Sequence, residues 1–255
     1  MLLAIDIGNT SIALGVFHQR KLFTHWKIHS QREKTSDDYS VILLSLLSRV
    51  GFEPEQIKSA ILCSVVPPLT PVFQQLIKKV FKIKALVVGP GLKTGMPILY
   101  ENPLEVGADR IVAAVAAFSK FGGPAIIVDF GTATTFDAVS ARGEYLGGAI
   151  APGVQIAAEA LYLKTAKLPR IEIKKPRRII GRSTVASMHS GIYYGYIGLV
   201  SYLVEEMKKE LGGGANVIAT GGLANFIRDE IKSIEFYEPC LVLEGLRIIF
   251  ERNRK

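Results

Sequence analysis

The sequence predicts an α/β protein built from two similar units in tandem, and two observations carry that expectation. An apolar run ending in Asp-x-Gly opens the chain as LLAIDIGNTSIALGVF, and a second, AIIVDFGTATTFDAVS, begins 123 residues later. Laid over one another, Asp6 falls on Asp129 and Gly8 on Gly131, while Asn9 and Thr10 fall near Thr132, Thr134 and Thr135. The second observation is context. Each copy occupies the bend between the first two strands of a meander, and each meander gives way to alternating helical and strand-like segments.

Taken in order, residues 2–7 are apolar and β-prone around Asp6, and 12–17 and 22–28 continue as strands joined by a polar turn. A helix is expected over 36–50, with Asp37 and Asp38 in a first turn that favours negative charge and Gly51 as its stop. Residues 57–66 read as a buried strand, 71–81 as a helix and 85–88 as a strand. Residues 108–120 form a helix on which Ile111, Val112, Val115 and Phe118 recur at helical spacing. From Pro124 the pattern restarts with strands at 125–129, 134–140 and 144–150, the last two joined by Arg142-Gly143. Helices at 155–163 and 183–211, a strand at 216–220 and a final helix at 241–252 complete the chain. The expected domains are 1–118 and 119–255, with the last helix packing on the first. Gly191, Gly195 and Gly198 form one stripe on the long helix. Glycine costs about 1 kcal/mol there relative to alanine, so close approach of another helix, from this chain or a second copy, is expected.

With 49% apolar residues the chain has ample material for a core, which excludes disorder as a class. No basic leader precedes the first apolar run, which Asp6 interrupts. The apolar stretch from Ile111 is broken by Ser119, Lys120, Gly122, Gly123 and Pro124 before it reaches bilayer thickness. A soluble, cytoplasmic protein without a membrane partner is the expectation. Cys63 and Cys240 lack metal or disulfide spacing, which suits a reducing compartment. Of the net charge of +8, seven units lie between Lys164 and Arg182. A solvated loop or strand edge is the ordinary account of such a run, and attraction of a polyanion is the sharper one. Nucleic acid is disfavoured, because the run has no aromatic interleaving and no recognisable binding signature.

The two bends carry the first chemistry. Glycine lets backbone N–H groups approach an anion, and Asn or Thr beside it adds donors, so phosphate is the obvious guest. Asp6 and Asp129 would repel it unless a cation stands between; hard metals are commonly held by one or two carboxylates together with substrate phosphates. Either bend taken singly is more simply a hairpin turn; the matched pair favours phosphate. Thr220, Gly221 and Gly222 follow a strand, where glycines admit a flat ring or ribose against the backbone. Gly107-Ala108-Asp109-Arg110 opens a helix, whose dipole stabilises the Asp109 anion by about 0.3–1 kcal/mol and readies it to accept a proton; its plainer reading is an acidic first turn with a surface arginine. Other candidates fail. The segment 89–95 misses the Gly-x-Gly-x-x-Gly spacing, no Gly-x-x-x-x-Gly-Lys loop or Gly-x-Ser-x-Gly elbow occurs, and His25 and His29 lack a third metal ligand.

Taken together, DIGNT at 6–10, YENPLEVGADR at 100–110, VDFGTATTFD at 128–137, GGAIAPG at 147–153, GRST at 181–184, ATGG at 219–222 and the ending LEGLRIIFERN resemble the type III pantothenate kinases of the actin-like ATPase superfamily. The resemblance covers nearly the whole chain; GADR and GGAIAPG narrow it to the family. It implies a duplicated actin-like (ribonuclease H-like) ATPase fold with mixed sheets and an interdomain cleft. It implies ATP binding by Asp6, Ile7, Gly8, Asn9, Thr10, Ser11, Ile12 and Ala13, with Thr132, Gly221 and Gly222 from the second domain. Tyr100, Gly107, Ala108, Asp109, Arg110 and Thr184 are implied to contact pantothenate, with Asp109 as general base. Asp129 is implied to hold K⁺ or NH₄⁺, and Mg²⁺ to accompany ATP near Asp6. The implied reaction gives 4′-phosphopantothenate, the first committed step toward coenzyme A, in a homodimer. A nucleotide-dependent transcription accessory protein of the same fold, motivated by the basic segment, is the alternative from another class. A kinase of the same fold acting on another small molecule is a third.

Overall fold

The structure, a computed structural model, describes residues 1–254, with all their side chains except that of Asn225. The chain divides into two compact units: one comprises Met1–Met96, Glu101–Ala116 and the segment from Cys240, the other Pro97–Tyr100 and Ala117–Pro239.

In the first unit, β1 (Leu2–Ile7), β2 (Ser11–His18) and β3 (Lys21–His29) form the expected antiparallel meander, followed by α1 (Ser36–Ser48), β4 (Ser59–Ser64), α2 (Leu69–Phe81) and β5 (Leu86–Val87). The sheet order is β3-β2-β1-β4-β5, with β4 and β5 parallel to β1. Period-2 alternation divides β1 cleanly. Leu3, Ile5 and Ile7, with Ile12, Leu14 and Val16 of β2, enter the core beneath Tyr39, Leu43 and Leu47 of α1 and Phe73, Leu76 and Ile77 of α2. Leu2, Ala4 and Asp6 project to the other face. That face receives α7 (Leu241–Asn253), which packs on β1, β2 and β4. Gly15 of β2 makes room there: a Cβ on it would lie 3.0 Å from Leu243. The strands at the centre are therefore apolar on both faces, as sheets covered on both sides require. Thr35 caps α1 by accepting from the Asp38 N–H while Asp38 accepts from the Thr35 N–H, a complete capping box.

The second unit repeats the plan. Its strands are β6 (Ala125–Phe130), β7 (Ala133–Val139), β8 (Tyr145–Pro152), β9 (Asn216–Thr220) and β10 (Phe236–Tyr237). They are ordered β8-β7-β6-β9-β10, with β7 antiparallel and β9 parallel to β6. Each strand thus has a counterpart in the first sheet, with the same neighbour and the same direction. The helices of this half are α4 (Val154–Leu163), α5 (Thr184–Glu210) and α6 (Ala224–Ile227), and α3 (Ala108–Phe121) begins in the first unit. The basic segment between α4 and α5 has no helix or strand. Ion pairs engage part of its charge, Arg170 with Glu159, Lys174 with Glu172 and Lys175 with Glu230.

The sequence left two elements unread. The short α6 and the two-residue β10 are too brief to display a period. The glycine stripe has no close partner within the described chain: a Cβ on Gly191, Gly195 or Gly198 would meet nothing within 4 Å.

Gly148 of β8 is the opposite case. It is paired with Asp137, and a Cβ would fall 1.7 Å from the Phe136 carbonyl oxygen. Gly148→Ala is therefore expected to force β7 and β8 apart and destabilise the fold by about 3 kcal/mol or more, read as a drop in melting temperature.

Candidate active site

The candidate residues lie in both units, and each group is built by its own sheet. In the first, Asp6 is the last residue of β1 on the face opposite the α1/α2 core before the bend. Gly8 closes that bend by donating its N–H to the Ser11 carbonyl oxygen at 3.0 Å, and a Cβ there would stand 3.0 Å from the same oxygen. Asn9 and Thr10 are exposed at the tip. Ile7 and Ile12 are fully buried in the α1/α2 core, so only their main chain can face a ligand. Asp6 pairs with Ala13 on one side and Cys63 on the other. The Cys63 thiol donates to Asp6 Oδ1 at 3.2 Å. Burial, then the neighbouring Asp6 and Asp109 charges, push that thiol well above its usual range, so it stays a donor.

Asp6 keeps a little solvent-facing surface, but desolvation by the surrounding sheet and the nearby charge of Asp109 raise its carboxyl to about 7. The Cys63 hydrogen bond and the Lys27 ammonium oppose that rise. Asp109, in the first turn of α3, folds its carboxylate back over the helix start and accepts from the Arg110 N–H at 2.8 Å. Gly107 makes that pose possible, since a Cβ on it would lie 2.6 Å from Asp109 Oδ1. The helix dipole, expected to favour the Asp109 anion, does not set the outcome. Desolvation raises the carboxyl, outweighing the backbone hydrogen bond and the Arg110 charge. Two carboxylates in a desolvated place that both resist ionisation fit a cation arriving with its own phosphate ligands. Among the described residues no cluster of three or more His, Cys, Asp or Glu forms a protein-only metal cage.

In the second unit, Gly131 donates to the Ala133 carbonyl oxygen at 3.1 Å. This bend is one residue tighter than the first: Ile7 pairs with Ile12, but Phe130 with Thr134. Exposed Thr132 forms its tip. Two glycines from distant motifs press on it. A Cβ on Gly153 would lie 2.2 Å from the Thr132 carbonyl oxygen, which accepts the Gly153 N–H at 3.1 Å. Gly221, with φ of +92°, would place a Cβ 2.4 Å from Asp129 Oδ1. Gly222 is exposed beside it. Burial and the Asp129 charge push the Tyr196 hydroxyl far up, while the Val154 N–H donates to it. Thr134 is fully buried, and its hydroxyl has no hydrogen-bond partner among the described residues.

Tyr100 stands at the end of a segment joined to β8 by mutual backbone hydrogen bonds, Tyr145 N–H to Pro97 and Leu99 N–H to Tyr145, each 2.8 Å. Its ring lies over Gly147, whose Cβ would come within 3.2 Å. Thr184, Leu161, Met188 and Gly191 line a concavity of about 730 Å³ between α4 and α5. Ala108 and Arg110 flank Asp109 on α3. Sequence reasoning missed Cys63, because only strand register brings it to Asp6. It also missed the buttressing by Gly153, although the GGAIAPG motif was a signal for it.

The architecture is the duplicated actin-like fold. A conserved putative Baf family transcriptional activator from Campylobacter jejuni aligns over 98% of both chains with a TM-score of 0.64 at 18% identity. A putative N-acetylglucosamine kinase from Porphyromonas gingivalis aligns over 99% of both with a TM-score of 0.51 at 13% identity. At these identities the likeness concerns the fold alone. Sequence goes further. The model of the type III pantothenate kinase family matches residues 2–206. A type III pantothenate kinase of Moorella thermoacetica is 55% identical over 253 residues, which is 99% of this chain and all of that one. Another from Geobacter sulfurreducens is 53% identical over the full length of both. The chain belongs to the type III pantothenate kinase family.

Two outcomes follow from this geometry. The unfolded chain releases the Asp6 proton near 3.8 and the folded chain near 7, so between those values the folded state holds the extra proton. The contribution of Asp6 is complete below 3.8 and is lost as pH rises through about 7. In the ligand-free protein, Asp6→Asn is expected to melt above the wild type at pH 8, by a few degrees for each kcal/mol of relief, or about 2–4 °C. The gap should narrow on going to pH 5.5; a gap independent of pH would show that Asp6 does not titrate there. Gly107→Ala should displace the Asp109 carboxylate and lower kcat about 10-fold or more, since positioning errors of this size cost up to about 10²-fold, with the melting temperature little changed.

Proposed function

We propose that this chain carries out the reaction for which its family is named, transferring the γ-phosphoryl group of ATP to pantothenate to give 4′-phosphopantothenate on the way to coenzyme A. The observation that carries the assignment of roles is the Asp109 carboxylate, held over a helix start by Gly107 and raised by desolvation. A base whose proton affinity lies nearer neutrality takes a proton from an attacking hydroxyl more readily than an ordinary surface aspartate. Asp109 Oδ accepts that proton as the hydroxyl attacks phosphorus and ADP leaves. Phosphoryl transfer otherwise demands alignment and charge neutralisation.

In this reading residues 6–13 bind the ATP phosphates through the exposed main chain and side chains of the first bend, with Thr132, Gly221 and Gly222 also contacting the nucleotide. Asp6 would hold Mg²⁺ together with the phosphates, and the ion would supply charge neutralisation there. Asp129 holds K⁺ or NH₄⁺. Tyr100, Gly107, Ala108, Asp109, Arg110 and Thr184 contact pantothenate. The 1–118 and 119–255 division is the functional one, and the enzyme works in the cytoplasm. No helix among the described residues is long and apolar enough to cross a membrane. A homodimer is supported by the open glycine stripe on α5 and by exposed Ile179, Ile180 and Val185 near it.

A coupled ADP-release assay with pantothenate, run with and without K⁺, tests substrate, reaction and cation together. Asp109→Asn is expected to lower kcat by about 10²–10⁴-fold while the melting temperature and MgATP binding persist; wild-type turnover would remove Asp109 from the role of base. Asp129→Asn is expected to abolish stimulation by K⁺, and retained stimulation would place the monovalent cation elsewhere.

A further inference from the structure

Two cations flank the first bend on its β3 side. Arg32 lies just beyond β3, and its guanidinium Nη2 donates to Asn9 Oδ1 at 3.3 Å. The same stretch is tied to the bend by the Ser30 N–H on the Thr10 carbonyl oxygen at 3.0 Å. Lys27 lies on β3 itself, and register carries it to the face of Asp6. It is paired with Ala13, which is paired with Asp6, and paired residues project to the same side of a sheet. Along that row only the methyl group of Ala13 stands between the two side chains, whose strands are two spacings apart, about 9.6 Å. Lys27 is exposed, and among the described residues its ammonium makes no hydrogen bond or ion pair. Burial and Asp109 push the Asp6 carboxyl up, while the Cys63 hydrogen bond and this ammonium pull it the other way.

An edge-strand lysine ordinarily discourages strand addition, and an exposed arginine is ordinarily solvated. Neither account explains why both cations lie beside the first bend, whose neighbouring carboxylates would repel a polyphosphate. We propose that Arg32 and Lys27 are phosphate-contacting residues of the nucleotide site: Arg32 donates to a phosphate oxygen while orienting Asn9, and Lys27 neutralises phosphate charge on the Asp6 face. Arg32 has the capacity, because a guanidinium carries five N–H donors and Asn9 takes one. The inference rests on the reading that the first bend binds the phosphates of ATP.

Steady-state kinetics of Arg32→Gln, Arg32→Lys and Lys27→Met, with direct titration of MgATP into each, test it. Arg32→Gln and Lys27→Met should each raise KM for ATP and weaken MgATP binding about 10-fold, the scale of one charge-assisted hydrogen bond. KM for pantothenate should stay within about two-fold, melting temperatures should match the wild type, and Arg32→Lys should recover part of the loss. Lys27→Gln serves in place of Lys27→Met if the latter melts early. Unchanged ATP parameters in both charge-removing variants, or an equal rise in both KM values, overturns the assignment. A wild-type protein that turns over pantothenate and binds MgATP while both variants do the same overturns the inference alone. A wild-type protein that binds no MgATP overturns the ATP reading, and the inference with it.

Discussion

A like-charge pair in a desolvated place governs the first unit. Asp6 lies near the end of β1 and Asp109 in the first turn of α3; burial raises both carboxyls, and the Asp109 charge makes Asp6 harder still to ionise. Such a pair is unfavourable to the empty protein and persists only where the surrounding structure holds it. Here the hold is specific. Cys63 donates to Asp6 from the next strand, the Arg110 N–H and Gly107 set the Asp109 carboxylate, and α7 closes over the sheet through Gly15 and Gly245, the latter pressed on Val112 of α3. The arrangement suits an enzyme whose substrate brings both phosphate and metal, because burial outweighs the countercharge of Lys27 and Arg110 and a metal adds to that countercharge.

Duplication explains the architecture but not the chemistry. Strand order, direction and bend position repeat from one sheet to the other. The bends themselves have diverged. The first spans one more residue, and it neighbours a second carboxylate, a thiol and two cations. The second is tighter and is braced by the backbone of Gly153 and Gly221, which press on Thr132 and Asp129. The same Asp-x-Gly sequence therefore sits in two different electrostatic settings.

Much of this was legible in the chain. The two meanders, α1 with its acidic first turn, α2, α3 and α5 announced themselves through apolar period and end signals, because local alternation reports which side of an element is buried. The candidate residues in DIGNT, GADR and VDFGT were recognisable by type and spacing, and glycine within GGAIAPG and ATGG implied close backbone approach. What escaped was short or non-local. The elements α6 and β10 contain too few residues to show a period. Cys63 is unremarkable in its own strand. The glycine stripe of α5 left a helix of this chain or of a second copy open, and no other described part of this chain lies within 4 Å of where its Cβ atoms would be.

By itself, then, the sequence determined the order and type of the long elements, their repetition, and which side chains are candidates for phosphate chemistry, since each depends on neighbours a few residues away. Tertiary structure alone decided the pairing of Asp6 with Cys63 and Ala13, the alignment of Lys27 with that row and the seating of Gly153 on Thr132. It also reversed the sign of the effect on Asp109. A helix start favours the anion locally, but desolvation depends on everything packed around the carboxylate, and that sum exists only once the chain has folded.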